Sequence, residues 1–396
     1  MTVATPTSTS DWRRATASTW MDFLPGDSLF ASPEATFHGR GCLLQARPRQ
    51  GIGACANELL AQASAASATD PDATPPVLLG LLPFDPSQPA QLLVPRELRR
   101  MVFPQELPAP RAAAILNRRE WPSAAAYEDG VRQALARLGT ETGLRKLVLS
   151  RTLSLDFAED VDLPRMLARL WRQNPHGYTY ALPLSPDGQH LFIGASPELL
   201  VRRQGRQVFV HPLAGTTVRG ADPDSDTRNA QALLASTKDR LEHAVVVEAI
   251  ESALKPLCHR LNIPAQPSLT STARLWHLGT AITGELADPE IHALDLAIAL
   301  HPTPAVCGLP AADARRAIAR IEPFERGYFA GAAGWCDARG DGVWSVAIRC
   351  AEVAGRHLTL YAGAGIVPGS IPEQERIETG NKLRTVLDAL GLEPAP

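Results

Sequence analysis

The chain has 396 residues, 45% hydrophobic and 20% charged, which suits a soluble globular protein of two or three domains or one large α/β or α+β unit. Its net charge of −3 argues against nucleic acid or an anionic membrane as the main partner, and no apolar run reaches the ~18 residues a membrane-spanning helix needs. The six cysteines, at 42, 55, 258, 307, 336 and 350, form no CxxC pattern, so free thiols in a reducing cytoplasm are expected.

The start, residues 1–20, is rich in Ser and Thr and has no apolar h-region, so no secretory signal is expected. Residues 1–120 otherwise carry weak signals. Val77–Leu82 reads as a short strand, 61–76 as a loop, and 86–110 as a Pro-interrupted connection. From Trp121 the texture changes. Tyr127, Val131, Leu135 and Leu138 fall at helical spacing within 123–138, Lys146–Leu155 alternates as a strand, and a helix over Leu163–Gln173 ends at Asn174 and Pro175. Strands are expected at 179–184, 190–194, 199–203 and 207–212.

Ser236 reads as the N-cap of a helix over 238–257, with apolar positions at 241, 245, 250, 254 and 257. Further strands are expected at 274–285, 327–337, 343–351 and 358–366. Ser370 and Glu373 have capping-box spacing and would open a last helix running to about Leu390. The mixture reads as α+β, with a large antiparallel sheet system and helices packed on it.

Only four of the 39 basic residues are lysine: Lys146, Lys238, Lys255 and Lys382. Arginine is used wherever any cation will serve, so a persisting lysine can mark a position where a compact or deprotonable amine has a use.

Several groups of residues carry chemistry. Asp239 and Glu242 are three apart, as are Glu375 and Glu378, so each pair projects from one helix face. Two such pairs suit a hard cation such as Mg2+; the alternative is that acidic residues near a helix start only answer its dipole. Arg349, placed at the end of an apolar strand, needs an anion if buried. Lys382 is four residues after Glu378 and can pair with it or touch a ligand. The glycine-rich stretch YAGAGIVPG (361–369) lets backbone N–H groups approach a ligand closely. Glu198, in an apolar stretch, can hold a proton, and Lys146, opening a strand, can sit desolvated; together they can supply an acid and a base, or they can be ordinary strand-end charges.

Eight ordered blocks carry a resemblance to the chorismate-utilising enzymes, which include isochorismate, salicylate, anthranilate and aminodeoxychorismate synthases. They are KLVLSR (146–151), ASPELL (195–200), HPLAGT (211–216), KDRLEH (238–243), WHLGTAITGEL (276–286), LHPTPAVCGLP (300–310), SVAIRCAEV (345–353) and YAGAGIVPGSIPEQERIETGNKL (361–383). The wording most resembles the isochorismate synthases of siderophore pathways. The resemblance implies a large α+β fold of two orthogonally packed antiparallel sheets with helices outside. A region 121–396 would bind chorismate, and residues 1–120 would complete the sheets.

It also implies roles. Lys146 resembles the base that activates water for attack at C2 of chorismate, and Glu198 the acid that protonates the departing C4 hydroxyl. Asp239, Glu242, Glu375 and Glu378 resemble the carboxylates around Mg2+. Thr216, Arg349, Lys382 and the backbone of Gly363, Ala364 and Gly365 resemble groups that bind substrate carboxylates, and His277 lies at the ring edge. Ala305 stands where salicylate synthases tend to carry threonine. Tyr361 departs from the phenylalanine of some isochorismate synthases. The implied activity is thus isochorismate synthase, with salicylate synthase as the alternative and a catalytically silent chorismate-binding protein as a reading of a different class. A cytoplasmic monomer would pass its product to an isochorismatase or an isochorismate pyruvate lyase.

Overall fold

The structure, a computed structural model, describes residues 15–67, 74–106, 109–110, 113–139 and 143–392. The start of the chain that bears on a leader, 1–14, lies outside them. Among the described residues, 18 strands join one sheet system, three form a small second sheet, and eight α-helices pack around them. The one parallel pairing recorded among these residues joins Ala17–Thr19 to Gln91–Val102; the other pairings are antiparallel. None of the described helices is long and apolar enough to cross a membrane, and all six cysteines are free thiols.

Early and late segments share the sheet. Val77–Leu82 pairs with Ala332–Asp337, and Ser28–Ala31 pairs with Tyr178–Pro183. The axis of the molecule is the strand Lys146–Phe157, bound along ten residue pairs to His357–Ile366. Its apolar residues enter two separate cores. Leu147 and Leu149 join one built on Leu79, Leu92, Tyr180 and Trp344; Leu153 and Leu155 join another built on Ile193, Leu358, Met166 and Val386. The alternate residues Lys146, Val148 and Ser150 face the other way.

The other edge of this strand is only partly covered by backbone. Gly308–Leu309 pairs with Lys146 and Leu147, and Ile115–Trp121 pairs from Thr152 onward. A buried ion pair helps fill the interval. Arg326 donates to the carbonyls of Val148 and Val306 (2.8 Å each), while Glu322 accepts from the Ser150 amide (2.7 Å) and from Arg326 Nε (2.8 Å). The guanidinium also lies 4.3 Å from the ring centre of Phe84. Glu322 and Arg326 thus take the place of a missing strand.

Several sequence expectations need correction. Part of the loop expected over 61–76 is helical, because Ala56, Leu59, Leu60 and Ala63 make a buried stripe on the helix Ile52–Ser67; residues 68–73 lie outside the described set. The stretch 86–110 contains the strand Gln91–Val102, which tolerates Pro95 because the pairing is irregular where Pro95 meets Cys42. The expected strand 274–285 is two strands in different sheets, Leu275–Gly279 and Ile282–Leu286. The expected strand 343–351 is also two, Gly342–Val346 and Cys350–Ala354, and the strand expected over 327–337 begins only at Ala332. No capping box opens the last helix, Pro372–Leu390: its N-cap is Ile371, and Ser370 Oγ instead accepts from the Val367 amide. Pro372 begins that helix because its fixed φ suits a first turn that needs no N–H. The helices Pro223–Ala235, Ala293–Leu300 and Ala311–Ile321 add to those expected.

Replacing Glu322 by alanine leaves Arg326 charged, buried and without its carboxylate. The expected loss is about 3–5 kcal/mol of stability, read as a lower urea midpoint. Replacing both residues by apolar ones of similar size should cost less than the single change.

Candidate functional site

Lys146 opens the central strand with none of its side chain exposed, and its ammonium makes a 3.0 Å ion pair with Glu242. Glu242 comes from the helix Thr237–Leu254, whose N-cap Ser236 accepts from the Asp239 amide as the sequence predicts. Of that helix's expected stripe, 245, 250 and 254 are buried, whereas Leu241 is 52% exposed. Burial pushes the Glu242 carboxyl up, but Lys146, with Lys382 and Lys238 behind it, more than offsets that and holds it below its ordinary value.

Two more lysine–carboxylate pairs adjoin. Lys238 Nζ bonds Glu375 at 2.8 Å, and Lys382 Nζ lies 2.6 Å from Glu378 while donating to the Gly363 carbonyl at 2.8 Å. Glu375 is buried, and burial followed by repulsion from Glu378 raises its pKa. Asp239 is raised likewise by burial, with Glu242 and Glu378 as like-charged neighbours. Among the described residues no three His, Cys, Asp or Glu side chains converge as a metal cluster; each glutamate turns to a lysine instead. The set still fits a hard divalent ion in donor chemistry, since it is all carboxylate oxygen and its members repel one another.

Glu198 follows the strand His190–Ser196 and is 3% exposed. It accepts a 3.3 Å hydrogen bond from the Leu213 amide. Burial raises its pKa to about 7, against the opposing pull of that amide and of Lys146, Arg349 and Lys382. It lines a small cavity, of about 50 Å³, with Val148, Ala305, Arg349, Gly363 and Lys382. Val306, Phe329, Ile348 and Tyr361 supply apolar wall.

Arg349 does not end a strand as expected. It sits in the connection between Gly342–Val346 and Cys350–Ala354 with φ of +53°, a left-handed conformation uncommon for a residue with a side chain. Its burial lowers the guanidinium pKa to about 10, with Glu378 and Glu198 pulling the other way. Thr216 and His277 face each other across two strands of the small sheet, Oγ1 to Nδ1 at 3.0 Å. His277 is buried, its Nε2 has no hydrogen-bond partner, and burial with Arg349 and Lys382 nearby drives its pKa well below the ordinary value. The imidazole is therefore neutral, and its Nε2 is buried without a hydrogen-bond partner.

Gly363 and Gly365 lie within the strand His357–Ile366, opposite Ser150 and Val148. A Cβ at Gly365 would strike the Glu242 carboxylate and come within 3.1 Å of Lys146 Cε; one at Gly363 would lie 2.6 Å from Ser150 Oγ. These glycines make room for the ion pair and the cavity. Ala364, paired with Leu149, faces the other side and can offer only backbone.

The structure thus gathers Glu198, Ala305, Arg349, Gly363 and Lys382 around one cavity, with Thr216 and His277 beside its cations. Lys146, Asp239, Glu242, Glu375 and Glu378 form the adjoining charge cluster. Sequence reasoning missed Lys238 as a partner of Glu375, although the scarcity of lysine marked it. It also missed His243, buried and bonded to Thr280 Oγ1 at 2.7 Å, whose pKa burial lowers to about 4. Lys255 is exposed just past the end of the helix and joins neither group.

Comparison with known proteins gives one consistent answer. The family described as chorismate binding enzyme matches residues 90–391. The chain is 48% identical over 325 residues to isochorismate synthase DhbC of Bacillus subtilis, covering 80% of this chain and 81% of that protein. It is 41% identical over 369 residues to the vibriobactin-specific isochorismate synthase of Vibrio cholerae, covering 92% of this chain and 91% of the other. A crystal structure of DhbC from Bacillus anthracis superposes with a TM-score of 0.87 at 42% identity, covering 94% of this chain and 99% of that one.

Because the Glu198 carboxyl is raised in the folded state, its contribution to stability is fully present below the unfolded value near 4.5 and is lost as pH rises through about 7. Wild-type stability should therefore fall relative to a Glu198→Gln variant between those limits, by up to about 1.4 kcal/mol per pH unit, measured by denaturant unfolding at a series of pH values.

Proposed function

We propose that this chain, which belongs to the chorismate-binding enzyme family, is an isochorismate synthase that isomerises chorismate to isochorismate with Mg2+. The observation that carries the reading is the shared cavity of Glu198, raised to a pKa of about 7, and two cations, Arg349 and Lys382. Chorismate carries two carboxylates and loses a hydroxyl, so its site must neutralise anions and keep one carboxylic acid protonated.

Lys146, in its neutral amine form, takes a proton from the water that attacks C2. Glu198 gives its proton to the C4 hydroxyl, which leaves as water while the ring double bond shifts. One water enters and one departs, so the net change is isomerisation. Arg349, Lys382 and Thr216 hold the carboxylates, with the amides of the 363–365 segment, and neutral His277 offers Nε2 at the ring edge. Asp239, Glu242, Glu375 and Glu378 are the residues that would hold Mg2+, which supplies positive charge for the ring carboxylate. The apolar wall around Ala305 leaves no added hydroxyl to assist a further elimination, which favours the synthase over a salicylate synthase. The presence of both a buried base and a buried acid opposes a silent binding protein.

The similarity to DhbC and to the vibriobactin-specific enzyme favours a siderophore pathway, with an isochorismatase or isochorismate pyruvate lyase taking the product. A cytoplasmic monomer, folded as one integrated unit in which residues 1–120 complete the sheets, is the form consistent with this role.

The test incubates the protein with chorismate and Mg2+, separates the products and assays pyruvate in the same tube. Isochorismate in equilibrium with chorismate, without pyruvate, is expected; salicylate with equimolar pyruvate would make the chain a salicylate synthase, and no consumption would favour the silent binder. Lys146→Ala should lower turnover by about 10²–10⁴-fold while chorismate still binds in the presence of Mg2+. In the wild type, kcat/KM should decline as pH rises past about 7, where Glu198 loses its proton. A profile flat to pH 9 would exclude Glu198 as the acid.

A further inference from the structure

A second cleft lies against the back of the cavity. It is lined by Arg169, Arg274, Arg384, Asp388 and, at its inner end, the same Arg349 that lines the cavity of Glu198. Three segments border both spaces. Ala195 and Pro197 face the outer cleft while Glu198 faces the inner cavity; Arg384 and Thr385 face outward while Lys382 faces inward; Arg349 touches both. Arg349 is therefore the side chain the two spaces share.

The outer cleft has four arginines and one carboxylate. Arg274 and Arg384 both pair with Asp388, and Arg169 donates to the carbonyls of Asp388 and Ala389 at 2.8 and 2.7 Å. One aspartate cannot neutralise these cations, and Arg384 Nη1 is buried with no hydrogen-bond partner. The cations also grade inward, from Arg274 with its side chain 52% exposed, through Arg384 at 17%, to buried Arg349. A row of one sign running from solvent to a low-dielectric interior focuses the field on an incoming anion.

We propose that this cleft is the route by which the dicarboxylate substrate reaches the inner cavity, with Arg274 and Arg384 receiving a carboxylate ahead of Arg349. The inference rests on the reading of the substrate given above, since only a polyanion gives the cation surplus a task. Asp388 sets the strength of the attraction by holding both outer arginines.

The test measures kcat and kcat/KM for chorismate at about 0.01 M and about 0.5 M ionic strength with Mg2+ held constant. The proteins are the wild type, Arg274→Gln, the double variant Arg274→Gln with Arg384→Gln, and Asp388→Asn. Wild-type turnover is read first, so failure of the functional reading is distinguished from failure of the route. At low ionic strength kcat/KM of the double variant should fall about tenfold with kcat unchanged, and the gap should narrow to about twofold at high ionic strength, where the Debye length shrinks to a few Å. Asp388→Asn should change in the opposite direction, rising about two- to threefold at low salt. Arg274→Gln, at an exposed position, should show a smaller loss with the same salt dependence and keeps the test valid if the double variant fails to fold. A deficit equal at both ionic strengths, or a loss rather than a gain for Asp388→Asn, would overturn the proposal.

Discussion

The structure turns on the burial of one ammonium group. Lys146 has no exposed side-chain surface, and a charge in that position is tolerated only beside a compensating partner. Glu242 is that partner, and much of the local design serves to bring it there. Ser236 starts its helix at the right place, and Gly365 leaves the space that the carboxylate and the lysine stem occupy. Lys238 with Glu375 and Lys382 with Glu378 repeat the solution next door. The result is an alternation of charges in which no carboxylate of the three pairs faces the interior alone. The same oxygens are the natural ligands of a divalent ion, so lysine and metal draw on one set of donors.

Within the adjoining cavity, burial acts on both signs of charge. It raises Glu198 toward neutrality and lowers Arg349 and His277, so the acid keeps a proton and the imidazole stays uncharged. Arg349 retains its charge because even a pKa of about 10 leaves a guanidinium protonated at neutral pH. One environment therefore prepares an acid, a neutral ring and a fixed cation together, by the single act of excluding water.

How much of this was legible in the sequence depends on how local each signal was. The helix Leu163–Gln173 is legible at both ends, because its periodicity and the flanking Asn174 and Pro175 act within a few residues, whereas the strand opening at Lys146 is legible at its start but runs on past the expected Leu155 to Phe157. Residues 61–67 of the helix Ile52–Ser67 read as loop because, of its buried stripe, only the small Ala63 falls there, Leu59 and Leu60 lying just before. The break at Arg349 was invisible, since the left-handed turn is held by distant backbone: Ala330 and Gly331 bond to both sides of Ala347. The substitution of Glu322 and Arg326 for a strand was likewise beyond reach, because it joins residues over 170 positions apart in the chain. The resemblance supplied the membership of the site. The lysine–carboxylate pairing, and with it the reason for Gly365, needed the folded chain.

The central strand shares its apolar residues between two cores, and this has a dynamic consequence. Amides between Lys146 and Phe157 lie between a continuous partner strand on one edge and mixed strand and side-chain partners on the other, above two packed interiors, so slow exchange with water is expected of them. Lys146 is therefore carried on an immobile platform. The four carboxylates ride on Pro372–Leu390, which packs over that platform, and on Thr237–Leu254, which packs against Leu213–Val218. Any rearrangement of charge between lysine and an arriving ion falls to those two helices and their side-chain rotamers, while the sheet beneath keeps its shape.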